Sequence, residues 1–176
     1  LDELYWVIDP IDGTSNFLRK IPISCVSIAL MHHLKPILGV IFDFNHDELY
    51  YGHKESKAYV NNQEIKVSSL NLKSESTLVT GIPAKTHYSN NEFSKMISDF
   101  QAWKKVRMIG SAAMAAAYVA SGKAETYKEN GIFLWDVAAG AAIVKAAGGN
   151  ISISNLRSDY RVDAKFSNNN IEQSFE

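Results

Sequence analysis

Apolar positions along this chain change their rhythm near residue 75, and the two rhythms predict two kinds of architecture. Before that point, Trp6-Val7-Ile8, Cys25 to Leu30, Ile37 to Phe42, Asp47 to Gly52 and Ala58-Tyr59-Val60 are short runs rich in β-branched and aromatic residues, which predict strands. Pro36 and polar residues separate the second run from the third, and Gly52 and Asn61-Asn62 offer turn chemistry between later ones, so an antiparallel meander is the simplest assembly. Ile65, Val67 and Leu70 alternate with polar residues, and the Ser-, Asn- and Lys-rich stretch from Ser68 to Ser76 reads as a surface connection. A domain boundary is expected there, dividing the chain into 1–75 and 76–176.

Beyond it, strand and helix patterns alternate. Leu78-Val79-Thr80 reads as a strand and 91–102 as a helix with Phe93, Met96, Ile97 and Phe100 on one face. Val106 to Ile109 reads as another strand, and Gly110-Ser111 opens an alanine-rich helix ending at Gly122, with Ser111 placed to cap it. Glu125-Thr126-Tyr127 is a weak strand, 134–147 a helix halted by Gly148-Gly149, and Ile151 and Ile153 begin a final strand. The expected fold is α/β, a layered α+β sandwich in which an antiparallel sheet region is followed by a mixed α/β region.

Candidate chemistry concentrates in the run from Trp6 to Phe17, where an apolar strand meets two carboxylates, a glycine and a hydroxyl. Pro10 has no amide proton and is expected to end the ladder, so that Asp9 and Asp12 leave a buried strand together. Two carboxylates with an intervening carbonyl, that of Ile11, suit a hard cation such as Mg²⁺. If a helical turn begins at Gly13-Thr14, its free amides face an anion and the bare Gly13 permits close approach. The plain alternative is a solvated acidic turn. Far downstream, Asp136 lies between apolar Trp135 and Val137. It reads either as a carboxylate favoured by a helix dipole or as a metal ligand whose burial a cation offsets.

Asp-Pro-Ile-Asp-Gly-Thr, 9–14, followed by Phe17, closely resembles the first signature of the inositol monophosphatase superfamily, the lithium-sensitive Mg²⁺-dependent phosphatases. Leu134-Trp135-Asp136-Val137-Ala138-Ala139-Gly140 matches the second, in the expected order. The resemblance implies hydrolysis of a small polyol or sugar phosphate monoester, inositol 1-phosphate first among them, on two or three Mg²⁺ ions, usually by a homodimer. It carries metal ligation onto Asp9, Ile11, Asp12 and Asp136, catalysis onto Asp12 and Thr14, and phosphate binding onto Gly13 and Thr14. Contact with the polyol falls to Ser111, Ala112 and Glu129. For Glu129 a solvated loop residue remains an equal reading, and Ser111 and Ala112 equally cap and pack a helix. Relatives also carry an amino-terminal helical segment with a further metal-binding glutamate, which the eight residues before Asp9 do not supply. Nucleotide-bisphosphate and fructose-bisphosphate phosphatases share these motifs, and some bacterial relatives take part in transcription complexes with RNA, so a non-catalytic interaction protein is the rival reading.

Composition narrows the rest. With 46% hydrophobic and 11% aromatic residues, a packed core is expected rather than disorder. Eighteen basic against 19 acidic residues give a formal charge of −1, so direct nucleic-acid binding is not expected. No apolar run approaches a membrane span. The single Cys25 excludes an internal disulfide and fits a cytoplasmic setting as a packed thiol. His32, His33, His46, His53 and His87 lack a zinc spacing. Arg19-Lys20 reads as a solvated turn, and Arg107 is a candidate interface residue.

Overall fold

Small residues let two helices lie close between two sheets, and the site is built where those layers meet. The structure is a computed structural model that describes residues 4–83 and 87–171. The first sheet is an antiparallel meander of six strands, each paired with the next: β1 (Tyr5–Asp12), β2 (Cys25–His32), β3 (Lys35–Asp43), β4 (Glu48–His53), β5 (Ala58–Val60) and β6 (Gln63–Ile65). A short helix, α1 (Thr14–Leu18), follows β1. The second sheet contains β7 (Thr77–Thr80), β8 (Lys105–Arg107), β9 (Thr126–Phe133), β10 (Asn150–Ser154) and β11 (Arg161–Ser167), in the order β10-β11-β9-β7-β8. It is mixed: β7 runs parallel to both β8 and β9, while β11 pairs antiparallel with β9 and β10. Helices α2 (Asn90–Gln101), α3 (Ala112–Ala120) and α4 (Leu134–Ala146), with a single 3-10 turn at Lys73–Glu75, complete the described elements.

Every residue of α3 except Tyr118 is buried, and α4 is buried along most of its length, as expected of helices that are apolar all round. Their alanines and glycines set the spacing. A Cβ on Gly140 would come within 2.3 Å of the Ala116 Cβ, and one on Gly39 within 2.1 Å of the Ala139 carbonyl oxygen. Met31, Ile41 and Tyr50 of the first sheet share one buried cluster with Val137 and Ile143 of α4 and with Tyr127, Val162 and Phe166 of the second sheet. The passage between sheets falls between Ile65 and Thr77, yet the core is shared. By contrast α2, closed by a Ser89–Glu92 capping box, has no buried residue and leaves Phe93 and Ile97 exposed.

Several local expectations are corrected. Pro10 does not end β1, which continues to Asp12. Asp9 pairs with Ser27 and Asp12 with Cys25, so β1 spends three steps where β2 spends two. The missing amide of Pro10 is accommodated by this bulge rather than by termination. Nor is the strand buried on both sides: it lies at the sheet edge, with Trp6 60% and Ile8 54% exposed. On that outer face Trp6 sits opposite Leu30, Ile8 opposite Ile28, and Ile28 opposite Val40. In the second sheet, β8 stops at Arg107 and excludes Met108 and Ile109. The strand beginning at Thr126 runs on to Phe133, so Glu129 belongs to a strand and not a loop. Ile151 and Ile153 are followed by a further strand, β11, whose buried Val162, Ala164 and Phe166 alternate with Arg161, Asp163 and Lys165. Those charges mask its periodicity in the sequence. Among the described residues, no helix is long and apolar enough to cross a membrane.

The closeness of sheet and helix at Gly39 is directly testable. Gly39→Ala is expected to cost about 1–3 kcal/mol by overpacking, read as a lower urea midpoint with unchanged m. An unaltered midpoint would show that the spacing is not set at this position.

Candidate metal and phosphate site

The bulge at Pro10 decides which way Asp12 points. Along β1, Tyr5, Val7 and Asp9 take the half-buried side, whereas Trp6, Ile8 and Pro10 take the exposed one. Strict alternation would place Asp12 with the exposed set. The extra residue reverses that parity, and Asp12 turns inward to only 7% exposure. There it meets Asp136 from the first turn of α4, and the ligand atoms of Asp9, Asp12 and Asp136 all lie within 4.8 Å of one another.

Each carboxylate is held by neighbours. The Asp9 Oδ1 accepts the Ile11 amide at 3.0 Å. The Asp12 Oδ2 accepts the Ser111 hydroxyl and, at 2.8 Å, the Ala113 amide in the first turn of α3. Ser111 meanwhile caps α3 by accepting the Met114 amide at 3.2 Å. The Cys25 thiol is fully buried 3.9 Å from Asp12 Oδ2, and burial holds it well above the ordinary thiol range, so it is packing rather than a nucleophile.

The loop after β1 is equally constrained. Gly13 has φ +78°, and a Cβ there would approach the Ile23 carbonyl to 2.7 Å, so both conformation and space call for glycine. Gly13 is the N-cap of α1. The Thr14 hydroxyl donates to the Ile11 carbonyl at 2.8 Å, leaving its lone pairs as acceptors. The Asn16 amide donates to the Ile23 carbonyl at 2.9 Å and to the Ile109 carbonyl at 2.7 Å. It thereby ties the loop to the segment entering α3.

One cavity of about 550 Å³ is lined by Asp9, Ile11, Asp12, Gly13, Thr14, Ser111, Ala112, Glu129 and Asp136 together. All nine positions singled out in the sequence thus face one space. Thr80, Gly81, Ile82, Met108, Ala115, Tyr127 and Ile132 also line it, as does Trp135. Thr80, Gly81 and Tyr127 were not visible as site residues in the sequence, because their meeting depends on the parallel pairing of β7 with β9. Among the described residues the histidines join no such cluster.

Electrostatics agrees with a site short of positive charge. Burial, opposed by the Ser111 and Ala113 hydrogen bonds and reinforced by Asp9, pushes Asp12 up to about 6. Burial, then the charges of Asp12 and Asp9, pushes Asp136 up to about 8. Burial pushes Glu129 up to about 7 against the Tyr127 hydrogen bond. An all-oxygen donor set whose members repel one another fits a hard divalent cation, and Asp9, Asp12 and Asp136 are the residues that would hold it.

Comparison with known proteins was consistent with this geometry. The sequence model of the inositol monophosphatase family matches residues 1–169. Inositol monophosphatase 2 of Saccharomyces cerevisiae is 38% identical over 154 residues, covering 82% of this chain and 53% of the relative. The Nus factor SuhB of Xylella fastidiosa is 40% identical over 147 residues, covering 83% and 54%. Among solved structures, an inositol monophosphatase from Anabaena (Nostoc) superposes with a TM-score of 0.86 at 36% identity, covering 95% of this chain and 68% of that one. The chain spans about half the length of the first two relatives.

The raised carboxyls give a signed pH dependence. Between the unfolded values near 4 and the folded values of about 6 to 8, the folded chain holds protons that the unfolded chain has released. Stability of the metal-free chain is therefore expected to fall as pH rises through that window. Added Mg²⁺ should raise the melting temperature at pH 8 and progressively less toward pH 5, where protons compete for the ligands. Calorimetry at fixed ionic strength reads both trends, and a melting temperature indifferent to pH and Mg²⁺ would contradict the charge-crowded site.

Proposed function

Because the chain belongs to the inositol monophosphatase family, we propose that it carries the metal and phosphate site of a Mg²⁺-dependent phosphoric monoester hydrolase acting on a small polyol phosphate, with inositol 1-phosphate as the first substrate. The observation that carries this reading is the convergence of three carboxylates in a cavity that Gly13, Thr14 and Glu129 also line. Asp9, Asp12, Asp136 and the Ile11 carbonyl are the groups that would hold two or three Mg²⁺ ions. When bound, the cations polarise the phosphoryl oxygens and acidify water.

The chain's own residues then divide the remaining work. Ser111 and Ala113 keep Asp12 ionised and aimed, since both donate to the same carboxylate oxygen. The Thr14 hydroxyl, whose proton is engaged by the Ile11 carbonyl, accepts a hydrogen bond from the attacking water and so orients it. Gly13 and Thr14 amides at the start of α1 cradle phosphate oxygens as charge develops. Ala112 keeps the wall small, and Glu129 accepts hydrogen bonds from polyol hydroxyls. Ser111 contributes by holding Asp12, its hydroxyl proton being committed there. A homodimer, lithium sensitivity and a cytoplasmic setting accompany this reading as family traits.

A second reading, a non-catalytic partner in a transcription complex, takes its support from the Nus-factor name of the Xylella relative. The clustered carboxylates favour the enzyme, because an interaction surface has no use for like charges forced together in a cavity.

Phosphate release from inositol 1-phosphate, with and without Mg²⁺, tests the proposal. Metal-dependent release is expected, reduced about 100-fold or more by Asp136→Asn. If chain 1–176 is silent, the same assay on a longer chain decides. Continued silence there, with partner binding unaffected by Asp136→Asn, would give the second reading the better claim.

A further inference from the structure

Glu129 stands on β9 with its carboxylate at the cavity, and two neighbours that the sequence did not single out bear on where it lies. On the adjacent parallel strand's exit, Gly81 lies so close that a Cβ there would sit 2.5 Å from Oε2, 2.8 Å from Cδ and 2.9 Å from Oε1. The φ of Gly81 is not in the left-handed region, so its lack of a side chain serves space rather than conformation. Two residues before Glu129, the Tyr127 hydroxyl donates to Oε2 at 3.2 Å. The Tyr127 ring is buried and rests against Phe166, with ring centroids 5.6 Å apart. Between them, the Thr80 hydroxyl donates to the Lys128 carbonyl at 2.6 Å and fixes β7 against β9 at this level.

We infer that Gly81 and Tyr127 are positioning residues that set the Glu129 carboxylate for recognition of substrate hydroxyls. The inference rests on the reading of Glu129 given above. Gly81 provides the slot, and the rigid Tyr127 hydroxyl selects one carboxylate oxygen, leaving the other as acceptor. Specificity for a polyhydroxylated ester is then bought by a prearranged acceptor and not by a mobile glutamate.

Two measurements test this, one independent of turnover. In Tyr127→Phe the ring stays and the donor goes, so the ionised Glu129 loses a hydrogen bond. Its titration midpoint, followed by carbon NMR of the side-chain carboxyl, should move up from about 7 by about one unit. The other titratable groups around it, Asp12 and Tyr88 and, along the adjoining groove, Glu92, Lys95, Asp99, Lys128, Asp163 and Lys165, are present in both proteins. An unmoved midpoint would overturn the role of Tyr127.

The second measurement compares inositol 1-phosphate with p-nitrophenyl phosphate, which has no hydroxyls to recognise. Tyr127→Phe and Gly81→Ala should each raise KM for the inositol ester about 5- to 10-fold while changing p-nitrophenyl phosphate hydrolysis less than about 2-fold. Neither should add to Glu129→Ala. Equal losses on both esters, or full additivity with Glu129→Ala, would reduce the pair to general packing. Should neither chain 1–176 nor a longer chain hydrolyse either ester, the functional reading fails while the NMR shift still decides the positioning.

Discussion

Crowding of like charge is the constraint around which this molecule is arranged. Asp9, Asp12 and Asp136 place ligand atoms within 4.8 Å of one another, a placement that opposes folding unless hydrogen bonds, protons or a cation compensate. The fold supplies what compensation it can. The Ser111 hydroxyl and the Ala113 amide both donate to Asp12, and the Ile11 amide donates to Asp9. Burial first, and the neighbouring carboxylates after it, still leave Asp12 and Asp136 raised. Stability is thus given up locally for a site that favours a cation, as functional sites commonly require.

Three helices begin at this one place, and that explains the layering. The start of α1 follows the signature strand, α3 opens with the Ala113 amide on Asp12, and α4 opens with Asp136 in its first turn. Buried α3 and α4 pack against both sheets, so their small residues fix the distance between strands carrying Asp9 and Asp12 and the strand carrying Glu129. The alanines are consequently part of the geometry of the site, although none of their side chains has chemistry to offer. The exposed α2 stands outside this arrangement.

Much of this was legible in sequence for physical reasons. The strands β2 to β5 alternate cleanly or run apolar between turn residues, and the two all-apolar helices have compositions that only a buried environment accommodates. The two motifs named every carboxylate in the cluster. What escaped were features set by partners rather than by local pattern. Pro10 suggested an end to β1, because its missing amide is visible locally whereas the bulge that accommodates it depends on β2. Trp6 and Ile8 looked buried, because an edge position cannot be read from composition. The charged alternation of Arg161, Asp163 and Lys165 concealed β11, and without the pairing of β9 to β11 and β7 nothing marked Tyr127 or Gly81 as neighbours of Glu129.

The bulge in β1 also makes the site a matter of counting. Asp12 faces inward with Asp9 because β1 spends three steps where β2 spends two, so the extra residue lengthens the stretch between the carboxylates without turning either of them away. A substitution at Ile11 alters a side chain, whereas loss of one residue between the aspartates removes the bulge and shortens the stretch that carries the Ile11 carbonyl. Length therefore matters in this segment as much as spelling, because a frame of four residues sets how the two carboxylates of β1 meet Asp136 of α4.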